Sequence, residues 1–144
     1  MKNTIWRKRA SQKKYNKYAA NKPAGCDFCD ITPKSHQFVS ETDKFWVIKN
    51  IFPYDMWDHH RVLDHKMLTP KRHLVGSNDF NEVEVKEFIA EIFEYEKNGY
   101  SIYTRAPYST AKSIPHQHTH LIKLGKPVEK FGLFVQKPHI NFFK

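Results

Sequence analysis

Acidic residues are missing from the first 22 positions, cysteine occurs twice, and glycine occurs five times in 144 residues. No apolar run approaches the ~20 residues that a membrane span needs, and the opening residues lack the apolar stretch of a secretory signal. Two cysteines cannot build a disulfide framework. Five Gly and 8 Pro exclude a collagen-like or linker-dominated chain. These absences together point to a cytoplasmic protein outside the membrane, and nothing in them marks a second domain.

Apolar residues make up 40% and charged residues 27%, enough for a packed core and too apolar for a disordered chain. The aromatic share of 15%, with 11 Phe and 7 Tyr, leans toward strands. The net charge of +9 is unevenly placed. Lys2, Arg7, Lys8, Arg9, Lys13, Lys14, Lys17 and Lys22 stand in the first 22 residues, whereas the rest holds 16 basic and 15 acidic side chains. The expected division is therefore a basic N-terminal extension over 1–22 and a near-neutral domain over 23–144. Such an extension either contacts RNA or another polyanion through counterion release, or stays a solvated, frayed tail. Trp6, Tyr15 and Tyr18 leave base stacking open as well.

Pro23-Ala24-Gly25 breaks the extension from the body, and Cys26-Asp27-Phe28-Cys29 follows. Phe45-Trp46-Val47-Ile48 reads as a buried strand ending at Asn50. Residues 51–64 have no clear period and are expected to form a loop. His65–Thr69 reads as a second strand stopped by Pro70. One long helix is expected from near Asp79, with Asp79 and Glu82 as a capping box. On it, Val85, Phe88, Ile89 and Ile92 face inward and Glu84, Glu87, Glu91 and Glu94 face water, with Gly99 as the C′ residue. Ser101-Ile102-Tyr103 and 116–123 read as strands. The class is α+β: an antiparallel sheet of about five strands with one main helix.

His116-Gln117-His118-Thr119-His120 carries the chemistry. On a strand, alternate side chains share a face, so the three imidazoles point one way, attached ~6.6 Å apart. A phosphate or a single metal fits between such rings, and neutral imidazoles supply donors, acceptors and a nucleophile near neutral pH. A hydrogen-bonded core row and a purely metal-binding row are the other readings of this pattern. Cys26-x-x-Cys29 in a reducing compartment suggests a metal before a disulfide, with two further ligands needed, and a redox dithiol as the alternative. His36, His59, His60 and His139 are spare ligand candidates.

With these residues in view, the sequence resembles the histidine-triad (HIT) nucleotide hydrolases and transferases, whose mark is His-x-His-x-His followed by apolar residues, here Leu121-Ile122. Pro70-Lys71-Arg72-His73 is similar to the family's Pro-Lys-x-His segment, and His65 to the histidine that opens the strand before it. Cys26-Asp27-Phe28-Cys29 is similar to the Cys-x-Phe-Cys start of many bacterial members. The likeness covers roughly 25–124. It implies attack by His118 on the α-phosphorus of a nucleotide, followed by hydrolysis to a nucleoside monophosphate. His120 would stabilise phosphoryl oxygens, Ser113 would lie near the leaving group, and Asn50 would bond the ribose. The first triad histidine, His116, would join His73, Cys26 and Cys29 around a structural zinc, and the family implies a homodimer. The sequence lacks a P-loop. It departs from the family at Gln117 and Thr119, polar where apolar residues are usual, and at Asp64, where glycine is usual. Arg105-Ala106-Pro107 and Ser109–Lys112 replace a segment rich in Asn and Gly, and Arg105 and Lys112 become candidate phosphate contacts. Two other functions stay open: a nucleic-acid-associated member acting on nucleotidylated ends, and a non-catalytic zinc-stabilised nucleotide-binding module.

Overall fold

The computed structural model describes residues 7–128 and, for the backbone alone, Gly132–Gln136 and His139–Phe143. Trp6 and Phe131 lie outside the described residues, as do the side chains of Phe134, His139, Phe142 and Phe143. The chain runs through helix α1 (Arg9–Ala20), strands β1 (Phe38–Glu41), β2 (Phe45–Lys49), β3 (Met56–Trp57) and β4 (His60–Pro70), then helix α2 (Glu82–Lys97). Strands β5 (Tyr100–Thr104), β6 (Thr119–Pro127), β7 (Gly132–Gln136) and β8 (His139–Phe143) follow. One antiparallel sheet has the order β1-β2-β4-β6-β5, with β3 paired to β4 as its sixth strand, and β7 and β8 form a hairpin. The expected α+β class and antiparallel sheet hold, with one more strand and one more helix than expected.

Period-two alternation gives this sheet two different faces. Phe45, Val47, Leu68 and Leu121 form one core with Ile92, and Phe80, Phe88 and Tyr95 pack on it. On the other face, Ile48 and Met67 pack with Phe28 and Ile31 from the cysteine segment. Met67 lies opposite His120 and His65 opposite Ile122, so the histidines share this second face. Helix α2 covers the first face and leaves the second for the site.

Four sequence expectations are corrected. The 51–64 loop is shorter, because β3 and the first half of β4 occupy 56–57 and 60–64; the strand has no apolar period there because it alternates between half-buried and exposed positions. The capping box of α2 is Asn81 with Glu84, and Asp79 belongs to a 3-10 turn, Ser77–Asp79. The packing face of α2 is correspondingly Glu84, Phe88 and Ile92, whereas Val85 and Ile89 are exposed. Glu84 is buried because it receives the Asn81 N–H at 2.8 Å and the Arg72 guanidinium at 2.8 and 3.1 Å. Gly99 sits at φ +80° after the helix, as a C′ glycine should. Finally, β6 begins only at Thr119, so His116 and His118 precede the ladder. Their segment is held by other bonds: Gln117 N–H to Leu74 O at 2.6 Å, Thr69 Oγ1 to Gln117 O at 2.8 Å, and Thr104 Oγ1 to His118 O at 3.3 Å.

Of the unexpected polar residues Gln117, Thr119 and Asp64, the first two are dry and Asp64 is half-buried. Thr119 and Gln117 are buried, with Gln117 Nε2 bonded to Thr119 Oγ1 at 3.1 Å and Gln117 Oε1 without a partner among the described residues. Asp64 accepts from Lys66 at 2.7 Å and from Tyr100 at 2.6 Å.

Candidate active site and metal cluster

The three motif histidines carry their protons differently, and backbone groups decide how. A carbonyl only accepts and a backbone N–H only donates, so each such partner fixes the tautomer of the neutral ring it meets. The His118 Nδ1–H donates to the His116 carbonyl at 2.8 Å, which leaves the lone pair on Nε2. Burial pushes the pKa of His118 down to about 4, so the ring is neutral at pH 7. A neutral imidazole with Nε2 unprotonated is the form a nucleophile needs.

The opposite arrangement holds at His120. The Tyr54 N–H donates to His65 Nδ1 at 3.2 Å, so the His65 proton sits on Nε2 and is donated to His120 Nδ1 at 2.9 Å. That leaves the His120 proton on Nε2, where the Tyr54 hydroxyl at 3.5 Å is too distant to hold it strongly. Burial pushes both rings down, His65 to about 3 and His120 well below the ordinary histidine value, so both are neutral. The rings of His118 and His120 stand edge to face, with centroids 5.1 Å apart. One ring thus offers an acceptor nitrogen and its neighbour a donor N–H.

Both rings line a cleft of about 670 Å³. Asn50, Arg105, Lys112 and Ser113 line it too, so every residue singled out as nucleotide-binding borders one cavity. Asn50 Oδ1 accepts the Phe52 N–H at 2.9 Å, and its Nδ2 lies 3.2 and 3.5 Å from the two ring nitrogens of His65. Lys112 Nζ donates to Val75 O at 2.6 Å, and the Arg105 guanidinium lies 5.4 Å from the Tyr103 ring centre. The loop that departs from the family pattern thus lends two cations to the cleft.

His116 is turned away from the cleft. Its Nε2–H donates to Pro70 O at 2.9 Å, so Nδ1 carries a lone pair, and this faces Cys26 Sγ at 3.3 Å and Cys29 Sγ at 3.6 Å. His73 Nδ1 lies 3.2 Å from Cys29 Sγ. The four donor atoms are all within 4.8 Å of one another and form a group that can hold a metal ion. Metal bonds of 2.0–2.3 Å to tetrahedral ligands imply edges of about 3.5 Å, which the three contacts of 3.2–3.6 Å match. The Pro70 carbonyl supplies the outer contact that fixes a ligating imidazole. His36, His59 and His60 lie outside this group; His60 Nδ1 donates to Asp58 O at 2.6 Å.

Some of the site has no signal in the sequence. Tyr54 stands in a stretch without period, yet it orients His65 and is buried against His120, ring centres 5.5 Å apart. Phe28 sits between the two sites, 5.8 Å from the His116 ring and 5.3 Å from the His118 ring; only its place in Cys-x-Phe-Cys hints at this. Arg7 of the basic extension borders the cleft, and nothing in the run of cations separates it from its neighbours.

Solved structures match this arrangement of elements. A hypothetical histidine triad nucleotide-binding protein from Sulfolobus tokodaii strain7 superposes with a TM-score of 0.52 at 24% identity, over 76% of this chain and 77% of that one. A HIT family hydrolase from Legionella pneumophila Philadelphia 1 superposes with a TM-score of 0.51 at 20% identity, over 67% of this chain and 90% of that one. No family model matches the sequence, and no curated protein does. The likeness therefore lives in the backbone: the chain has the α+β fold of the histidine triad proteins.

Proposed function

We propose that this protein is a nucleotide hydrolase or transferase that cleaves a P–N or P–O–P bond at a nucleotide α-phosphate through a nucleotidyl-histidine. One observation carries the reading: His118 is neutral, donates Nδ1–H to the His116 carbonyl, and keeps its Nε2 lone pair free, next to the His120 ring in an open cleft. His118 Nε2 attacks phosphorus, and the P–X bond breaks with its electron pair leaving on X. The ring then bears positive charge, which the His116 carbonyl dipole stabilises through Nδ1–H. His120 Nε2–H donates to a non-bridging oxygen, and Ser113 places a hydroxyl on the leaving-group side. Water next displaces His118 from phosphorus, releasing a nucleoside monophosphate and restoring the neutral ring. Covalent catalysis divides one difficult displacement into two easier ones. Asn50, which also lines the cleft, is assigned to the ribose hydroxyls.

Zinc is the proposed ion at Cys26, Cys29, His73 and His116, since two thiolates and two imidazoles in a tetrahedron suit it. Four protein ligands leave no open position, so its role would be structural, tying the Cys26–Cys29 segment to the stretch that runs into His118. A homodimer fits the edge position of β5 and the exposed Val85, Ile89 and Phe93 along α2, and sedimentation analysis checks it.

The deciding experiment incubates the protein with adenosine 5′-phosphoramidate and a panel of dinucleoside polyphosphates, followed by acid-free quench and mass spectrometry. Release of nucleoside monophosphate and a nucleotidyl adduct on His118 are expected. An adduct on any other residue, or tight nucleotide binding with no turnover across the panel, overturns the reading.

A further inference from the structure

The basic extension is not separate from the cleft. Helix α1 buries none of its own residues fully, and Lys8 at its start makes no side-chain cap. It is held instead by aromatic contacts, Tyr15 and Tyr18 packing on Phe52 with ring centres 5.5 and 4.9 Å apart. Tyr18 and Lys22 also reach Asp27, at 3.3 and 2.9 Å.

This packing carries Arg7 into the cleft wall. Its Nε and Nη2 donate to the Phe52 carbonyl at 3.2 and 2.8 Å, and the guanidinium lies over the rings of Tyr15 and Tyr54, 4.6 and 5.2 Å from their centres. A guanidinium has five N–H donors, so three remain. Asp55, the neighbouring acid, has one carboxylate oxygen engaged by the Lys8 N–H at 2.7 Å and forms no ion pair with Arg7. Arg105 and Lys112 likewise have no ion-pair partner among the described residues. Across the cleft wall, the Arg105 guanidinium lies 5.4 Å from the Tyr103 ring centre, and Tyr54 lies in the field of both Arg7 and Arg105. Two guanidiniums without an ion-pair partner among the described residues, lining one cleft beside neutral histidines, repel each other unless an anion lies between them. A fork of this kind is suited to phosphate.

A single α-phosphate beside His118 and His120 accounts for one anion, and Lys112 is available to it. We propose that Arg7 and Arg105 form a second anion subsite that receives a phosphate on the leaving-group side, so that the preferred substrates are phosphoanhydrides of nucleotides, with α1 as a wall of the substrate site. This rests on the cleft being the nucleotide site, as proposed above. An uncharged amine leaving group would leave the second subsite unfilled, whereas a polyphosphate tail fills it.

Two measurements test this, and they separate it from the reading on which it rests. With diadenosine tetraphosphate, Arg7→Gln is expected to lower kcat/KM by at least tenfold. With adenosine 5′-phosphoramidate the loss is expected to stay under threefold, and Arg7→Lys should recover part of the loss on the anhydride. Equal losses on both substrates, or none on either, overturn the subsite. The second measurement needs no turnover: inorganic tripolyphosphate is titrated calorimetrically into the His118→Ala protein with and without Arg7→Gln or Arg105→Gln. Each second change is expected to weaken binding at least tenfold, while Lys13→Gln, which removes the same charge from the exposed side of α1, changes it less than twofold. Equal weakening by Arg7→Gln and Lys13→Gln would make the effect a general one of the basic run and overturn the subsite. If the tripolyphosphate result holds but no substrate is cleaved, the anion subsite stands and the hydrolase reading falls.

Discussion

His116 and His118 are two residues apart, both buried and both bonded to a backbone carbonyl, yet they are prepared for opposite work. His116 gives its Nε2–H to Pro70 and turns its Nδ1 lone pair toward two thiols; His118 gives its Nδ1–H to His116 and keeps its Nε2 lone pair for the cleft. The difference teaches that the role of an imidazole in this segment depends on which of its nitrogens meets a carbonyl. Side-chain identity is the same at both positions. The carbonyl partner differs, because His116 lies against the end of β4 at Pro70 while His118 folds back on its own segment.

The sharpest way to break the comparison is to remove one ring at a time. His118→Ala should lower nucleoside monophosphate release by at least about 10³-fold, the scale on which loss of a nucleophile is felt, with metal content unchanged. A His118→Ala protein with near-normal turnover would put the nucleophile elsewhere. Cys26→Ser should do the reverse: metal stoichiometry measured by plasma emission falls well below one, and the thermal midpoint drops because the N-terminal segment loses its anchor. Unchanged stoichiometric zinc in that variant would exclude the thiol from the site. Chelation of the native protein should reproduce its loss of stability.

A finer cut goes through His65, which sets the tautomer of His120. His65→Phe removes the donor to His120 Nδ1 without touching His118, and about a tenfold to hundredfold fall in kcat is expected, the scale of losing orientation at a reacting group. A fall in affinity with kcat intact would instead make His65 a packing residue. The smallest effect is on stability against pH. The folded-state pKa of His65 is depressed to about 3, below the ordinary 6.5, so the unfolded chain binds more protons in that interval. Stability contributed by the neutral ring is complete above pH 6.5 and declines as pH falls toward 3, by at most about 1.4 kcal/mol per pH unit. Urea unfolding at pH 7.5 and 5.5 should show the decline, and His65→Phe should make it shallower; an identical slope in both proteins would remove His65 from the account.

Particular elements show how far the sequence could be read. Val47 and Ile48 announce a buried strand because unbroken apolar runs have few other uses, and β2 is where they predict it. The helix end at Gly99 was equally legible. Its start was not, since Asp79 with Glu82 and Asn81 with Glu84 satisfy the same local pattern, and only the packing of Arg72 against Glu84 selects the second. That same choice rotates α2, burying Glu84 and leaving Val85 and Ile89 exposed. In the site, Cys26, Cys29, His73 and His116 were named from spacing and likeness and do converge. Tyr54 and Arg7 were invisible because their roles depend on a loop and a helix meeting the sheet.

What the linear order of residues settled here is the chemical inventory: alternate imidazoles, a thiol pair, a neutral body and a basic leader. Periodicity also announced the central strands and the presence of the long helix, but not which face of that helix is buried or where the strands begin. Folding alone decided the protonation of each ring and the position of Arg7. Both depend on which carbonyl, amide or aromatic face arrives from a distant part of the chain, and no local pattern encodes that arrival.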